Sequence, residues 1–117
     1  MSSPAGLPFS KTRHVGKLVY LAGEMPIATD GTVPEGIEAQ THLTLDRITA
    51  TLAEQGLDLN DVVSVLVHLT DPQDFPAFNR AYADRFKSPY PVRTTVRADL
   101  MLPGAKLELT AIAQTRA

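Results

Sequence analysis

The chain has 117 residues, no cysteine, and 13 acidic against 11 basic side chains, for a formal charge of −2. That length fits a single domain, 1–117, and 44% hydrophobic with 21% charged residues is ordinary for a globular protein. A disulfide framework, Cys-ligated zinc and a thiol nucleophile are excluded, and the slight acid excess argues against a nucleic-acid partner held by phosphate neutralisation.

Residues 1–9 show neither the basic start nor the long apolar stretch of a secretory signal. The longest apolar runs, at 18–23 and 62–69, fall well short of the roughly 20 residues a membrane helix needs. The expectation is a cytoplasmic protein with no membrane partner. In chain order, the β-branched and aromatic run Leu18–Ala22, ending at Gly23, predicts a strand, and Asp30-Gly31 predicts a turn. From Ile37 the period changes: Ile37, Thr41, Leu45, Ile48 and Leu52 form one stripe of a helix, with Gly56 as a left-handed stop. Val62–Leu69 is a valine-rich strand. Asp71-Pro72 starts a second helix, by a capping carboxylate and a proline at the first helical position, with Phe75, Phe78 and Tyr82 as its buried stripe. Ser88-Pro89-Tyr90-Pro91 ends it, and strands at about Val92–Ala98 and Lys106–Gln114 follow.

This order predicts an α+β domain: a mixed sheet of about six strands, two helices on one face, and a parallel crossover through the first helix. Along the last strand Leu107, Leu109, Ala111 and Ala113 point one way and Glu108, Thr110, Ile112 and Gln114 the other. The second set is too polar for a monomer core and too apolar for open water, which predicts a homo-oligomer.

Two residues carry the chemistry. Alternation sets Arg93 and Thr95 opposite Val92, Thr94 and Val96, and Glu108 opposite Leu107 and Leu109. If the last two strands pair, Arg93 and Glu108 share a face, where the guanidinium offers a planar fork to a carboxylate and the acid a group to orient or deprotonate water. The same pattern fits an ordinary cross-strand ion pair. His14, His42 and His68 lack metal spacing, no serine stands in a nucleophile-elbow context, and the glycines form no phosphate loop.

Taken together, the chain resembles the RidA family, also called YjgF and also labelled endoribonuclease L-PSP, from about Pro8 to Ala113. The resemblance rests on Gly16 to Gly23, Glu38-Ala39-Gln40-Thr41, Asp61 through Asp71, Phe78-Asn79-Arg80-Ala81-Tyr82, Pro91-Val92-Arg93-Thr94 and Leu102-Pro103-Gly104-Ala105-Lys106-Leu107-Glu108-Leu109, in the family order. It implies a chorismate-mutase-like fold assembled as a homotrimer with pockets between subunits. It also implies a cofactor-free, metal-free deaminase that hydrolyses small enamine and imine carboxylates, of the 2-aminoacrylate and 2-iminopropanoate type, to 2-oxo acids and ammonia.

By the resemblance, Arg93 clamps the substrate carboxylate and Glu108 positions the attacking water. Gly23 is the pocket glycine, with Asn79 and Pro103 near it. The chain departs from the family pattern at Phe9 (a tyrosine), Ala22 (a serine), Glu24 (a glutamine), Thr95 (a cysteine) and Thr110 (an acid). These departures leave two other readings open: a pathway-specific enzyme for a different small carboxylate, and a non-catalytic small-molecule-binding trimer. The charge of −2, with no basic stripe, gives the ribonuclease label little support.

Overall fold

The computed structural model describes residues 6–116; of the N-terminal stretch read for a signal, residues 1–5 lie outside it. The described elements are β1 (Thr12–Val15), β2 (Leu18–Leu21), α1 (Ile37–Glu54), β3 (Val62–Leu69), α2 (Phe75–Ala83), β4 (Val92–Arg97) and β5 (Leu107–Gln114), with short 3-10 turns at Leu59–Asp61 and Pro72–Asp74.

Helix α1 forms as its stripe predicts. Ile37, Thr41, Leu45, Ile48 and Leu52 are all buried against the sheet. It stops where Gly56 takes φ 73°, and the Leu57 and Gly56 N–H groups close back onto the carbonyls of Leu52 and Ala53. Gln40, a polar residue off the predicted stripe, is also buried. Its amide donates to the carbonyls of Pro34 (2.9 Å) and Gly104 (3.0 Å) and accepts from the Lys106 N–H (2.7 Å). Gln40 thereby ties the start of α1 to the connection that feeds β5.

The sheet has five strands in the order β1-β2-β5-β3-β4 among the described residues, not about six. β1 is an element the sequence reading did not separate, because its Thr-Arg-His-Val shows one buried position and no apolar alternation. β3 and β4 pair in parallel, joined by α2. β5 runs antiparallel to both β3 and β2, so β2 and β3 share a direction with β5 lying between them. The crossover through α1 is therefore parallel but spans a strand inserted later in the chain.

One core lies between the sheet and the helices. Val65, Val67, Leu69, Leu107, Leu109, Ala111 and Ala113 meet Leu45, Ile48, Leu52 and Phe78 there. Phe75 is the exception to the predicted stripe of α2: it is 39% exposed, whereas Phe78 and Tyr82 are buried. It is the first residue of the helix and lies beside β4, the edge strand of the sheet, rather than over the sheet's centre.

Among the described residues no helix lies over the opposite sheet face. Tyr20, Leu66, Val92 and Val96 stand exposed there, beside the half-buried Ile112, Thr110 and Glu108. No described helix is long and apolar enough to cross a membrane.

Candidate active site

All but one of the residues singled out from the sequence fall into two regions, set by strand register. The first forms where β2 gives out. Tyr20 pairs with Ile112, but the next backbone pairing joins Glu24 to Leu109, with Glu24 N–H to Leu109 carbonyl at 2.8 Å and the return bond at 3.0 Å. Leu21, Ala22 and Gly23 thus oppose only Thr110 and Ala111. The extra residue is a bulge, and it changes which way the following side chains project.

Past the bulge, Glu24 falls in the row of Leu109, on the helix side. Its carboxylate accepts from Arg47 Nε of α1 at 2.9 Å, and Arg47 NH1 donates onward to the Ile27 carbonyl at 2.8 Å. Gly23 backs directly onto Glu108. A Cβ there would sit 2.7 Å from Glu108 Oε2, 2.9 Å from its Cδ and 3.2 Å from Thr110 Oγ1. Glycine is required at this point by close approach, not by backbone conformation.

Phe9, Ser10, Tyr20, Ala22, Gly23 and Glu108 line a concavity of about 430 Å³ on the open face. Phe9, Ala22, Gly23, Glu24 and Arg47 border a second, of about 230 Å³. Among the described residues no side chain hydrogen-bonds the half-buried Glu108 carboxylate. Its cross-strand neighbour is His68, whose Nδ1 is buried with no partner.

The second cluster lies on the edge strand. Arg93, Thr95 and Arg97 pair with Val65, Val67 and Leu69, so they project to the helix side. Arg93 is the best ordered of the three by its contacts. Its NH2 donates to Asn79 Oδ1 at 2.8 Å, and the guanidinium carbon lies 4.9 Å from the Tyr82 ring centroid, 5.4 Å from Phe78 and 5.7 Å from Phe75. This aromatic shelf holds the fork flat by cation–π attraction and leaves its remaining N–H groups for an anion.

Burial pushes the Tyr82 phenol above its ordinary value, only partly opposed by the Arg93 charge, so the ring stays neutral. Beyond Arg93 a cleft of about 250 Å³ opens between β4 and the start of α2, lined by Leu69, Pro72, Phe75, Thr95, Val96 and Arg97.

Arg93 and Glu108 do not share a face. β3 separates β4 from β5, Arg93 lies in the row of Val65 and Ala111, and Glu108 lies in the row of His68. The sequence reading paired the last two strands because they are neighbours in the chain. The α2 crossover instead makes β4 an edge strand parallel to β3, and the two functional side chains end on opposite sides of one sheet.

Phe9, Ala22, Gly23 and Glu108 are brought together, while Glu24 turns to Arg47 on the helix side; Asn79, Arg93 and Thr95 are brought together on β4 and α2. Pro103 is exposed in the connection before β5 and borders none of these concavities. Arg47 and Arg97 were missed. Arg97 was legible as the next same-face arginine after Arg93 and Thr95, while nothing local links Arg47 to Glu24. Among the described residues no cluster of three or more His, Asp or Glu is placed to hold a metal ion.

Comparison with known proteins agrees with this architecture. A family model described as Endoribonuclease L-PSP matches residues 2–115. The RutC family protein SSO3206 of Saccharolobus solfataricus is 36% identical over 109 residues, covering 92% of this chain and 86% of its own. TdcF of Escherichia coli (strain K12), provisionally named a reactive intermediate deaminase, is 29% identical over 91% of this chain and 85% of its own.

Among solved structures, RidA from the Antarctic bacterium Psychrobacter sp. PAMC 21119 superposes with a TM-score of 0.87 at 31% identity, over 94% of this chain and 90% of its own. E. coli TdcF with bound serine gives 0.86 at 28% identity, over 96% and 91%. On the family match, the level of identity and the superposition with these structures, the chain belongs to the RidA/YjgF (Endoribonuclease L-PSP) family.

Proposed function

We propose that this protein is a deaminase that hydrolyses small enamine and imine carboxylates, of the 2-aminoacrylate and 2-iminopropanoate type, to 2-oxo acids and ammonia. The observation that carries this reading is Arg93. Its guanidinium is oriented by Asn79 and by three aromatic rings, with no acidic partner among the described residues and N–H groups left to grip a carboxylate.

Glu108 supplies the second function. An imine already reacts with water, so the protein has only to hold the acid and aim the nucleophile. Glu108 accepts a proton from water as the water oxygen bonds to the carbon of the protonated imine, which gives a neutral carbinolamine. It then returns that proton to the nitrogen, the C–N bond breaks as the carbonyl forms, and the hydroxyl proton passes through Glu108 to the departing ammonia, which leaves as ammonium. An enamine substrate first takes a proton from solvent at its terminal carbon to become the protonated imine.

Because Arg93 and Glu108 face opposite sides of one sheet, the active site is assembled between chains, Arg93 from one and Glu108 from the next, in a homotrimer. The uncovered apolar face with Tyr20, Leu66, Val92 and Val96 supports that assembly. Phe9 and Ala22, which bring no hydroxyl to the rim, favour a substrate somewhat different from those of relatives with a tyrosine and a serine there.

The test is release of ammonia from freshly generated 2-aminoacrylate. The protein accelerates it over the buffer rate, and Arg93→Ala and Glu108→Ala each abolish the acceleration. Mixing the two inactive variants after partial unfolding and reassembly restores a fraction of the activity. A rate equal to buffer for every small imine tested refutes the deaminase reading, and no recovery on mixing refutes the shared site.

A further inference from the structure

Arg93 is one of two arginines that β4 turns to the helix side. Arg97 stands four residues on, on the same side of β4 as Arg93 and Thr95, opposite Leu69. At about 3.3 Å per residue the two arginine Cα atoms are ~13 Å apart, a span that two long side chains reaching inward can close around a small molecule. Between them lies the cleft of about 250 Å³, floored by Leu69, Pro72 and Phe75 and bordered by Thr95 and Arg97.

Phe75 joins the two ends. It lines the cleft and also lies under the Arg93 guanidinium, 5.7 Å from ring centroid to Cζ. The exposed part of this ring is therefore a continuous apolar floor from the first cation to the second.

Arg97 has no internal reason for its charge. Among the described residues it makes no ion pair and no side-chain hydrogen bond. The acids close to it in the fold or the chain do not neutralise it. Asp71 accepts from the Gln73 N–H at 2.9 Å, Asp74 lies 3.7 Å from Lys106 Nζ, and Asp99 makes no pair with it. An apolar trough with a fixed cation at one end and an uncommitted cation at the other fits a short carbon chain with an anionic group at each end.

We infer that Arg97 is a specificity-determining residue and that the ligand of this site is a dicarboxylate: a 2-imino acid, with its 2-oxo product, that carries a second carboxylate on its side chain. The inference rests on the deaminase reading for the imine and on the cleft alone for the second carboxylate. Arg93 takes the carboxylate next to the reacting carbon, the methylenes lie on Phe75 and Leu69, and Arg97 takes the distal carboxylate, with the Thr95 hydroxyl beside it. The reaction that supplies such a substrate is the two-electron oxidation of an acidic amino acid to its imine by a flavin or nicotinamide acceptor, or the loss of water from an acidic amino acid that carries a β-hydroxyl.

Calorimetric titration of the native protein with 2-oxoglutarate and with 2-oxobutyrate tests this without turnover. The diacid is expected to bind about tenfold more tightly, the scale of one partly exposed charge-assisted contact. Arg97→Gln removes that preference while leaving 2-oxobutyrate binding within about twofold, and Arg97→Lys restores part of it. Equal affinities in the native protein, or a preference that survives in Arg97→Gln, overturn the inference, as does failure of both acids to bind. Failure of the deaminase reading has a different signature: the Arg97-dependent preference is measured, yet no imine is hydrolysed faster than in buffer.

Discussion

The contact between Gly23 and Glu108 makes a quantitative prediction. In Gly23→Ala the new Cβ would lie 2.7 Å from Glu108 Oε2 and 2.9 Å from Cδ, and ordinary contact begins near 3.4 Å. The carboxylate must retreat by about 0.7 Å to restore normal packing. It is the far end of a flexible side chain, so the retreat is made by torsion, at a cost of about 0.5–1.5 kcal/mol if the side chain leaves its rotamer. Stability therefore falls by no more than about 1.5 kcal/mol.

Activity falls much further, because displacing a catalytic group by about 1 Å costs up to ~100-fold in rate. Imine hydrolysis and urea unfolding of Gly23→Ala, Glu108→Ala and the double variant make the check. The alanine at 108 removes the obstructing carboxylate and leaves only Thr110 Oγ1, at 3.2 Å, near the new methyl. The double variant is then expected to match Glu108→Ala in rate and to lie within about 0.5 kcal/mol of it in stability. Wild-type rates in Gly23→Ala, or an equal stability loss from the added methyl in both backgrounds, refute the argument that glycine stands here to make room for the acid.

The latch at Gln40 is expected to be structural. Gln40→Ala leaves the Lys106 N–H and the carbonyls of Pro34 and Gly104 without their buried partner, so unfolding free energy falls by about 2–4 kcal/mol; a loss under 0.5 kcal/mol in urea unfolding contradicts this. A pH prediction follows from the C-terminal clamp. The Asp61 carboxyl is held below its ordinary value chiefly by its hydrogen bond from Arg116, at 2.8 Å from NH2 to Oδ2. A depressed carboxyl stabilises the fold above the unfolded value and loses that contribution as pH falls through the folded one. Arg116→Ala is thus expected to lower stability at pH 7 and to flatten the acid limb below about pH 4. An acid limb as steep as that of the native protein contradicts the assignment.

Side-chain periodicity is a local property, and what depended on it was legible in the sequence. The stripe of α1, the stop at Gly56, the bounds of β3 and the inward and outward sets of β5 are all observed. So is the placing of Arg93 on one face of its own strand and Glu108 on one face of its own. The departure at Phe75 is also local in origin: helical spacing identifies a stripe but not where the sheet beneath it ends.

What only the tertiary structure decided was which strands lie side by side. Strand pairing depends on contacts between distant segments and on where α2 sets β4 down, so β5 inserts between β2 and β3, and β3 parts β4 from β5. That one fact sets Arg93 and Glu108, which would share a face if the last two strands paired, on opposite faces of the sheet. The bulge at Ala22–Gly23 acts in the same way. A single extra residue inverts every later side chain, and Glu24 turns to Arg47 rather than to the concavity that holds Glu108.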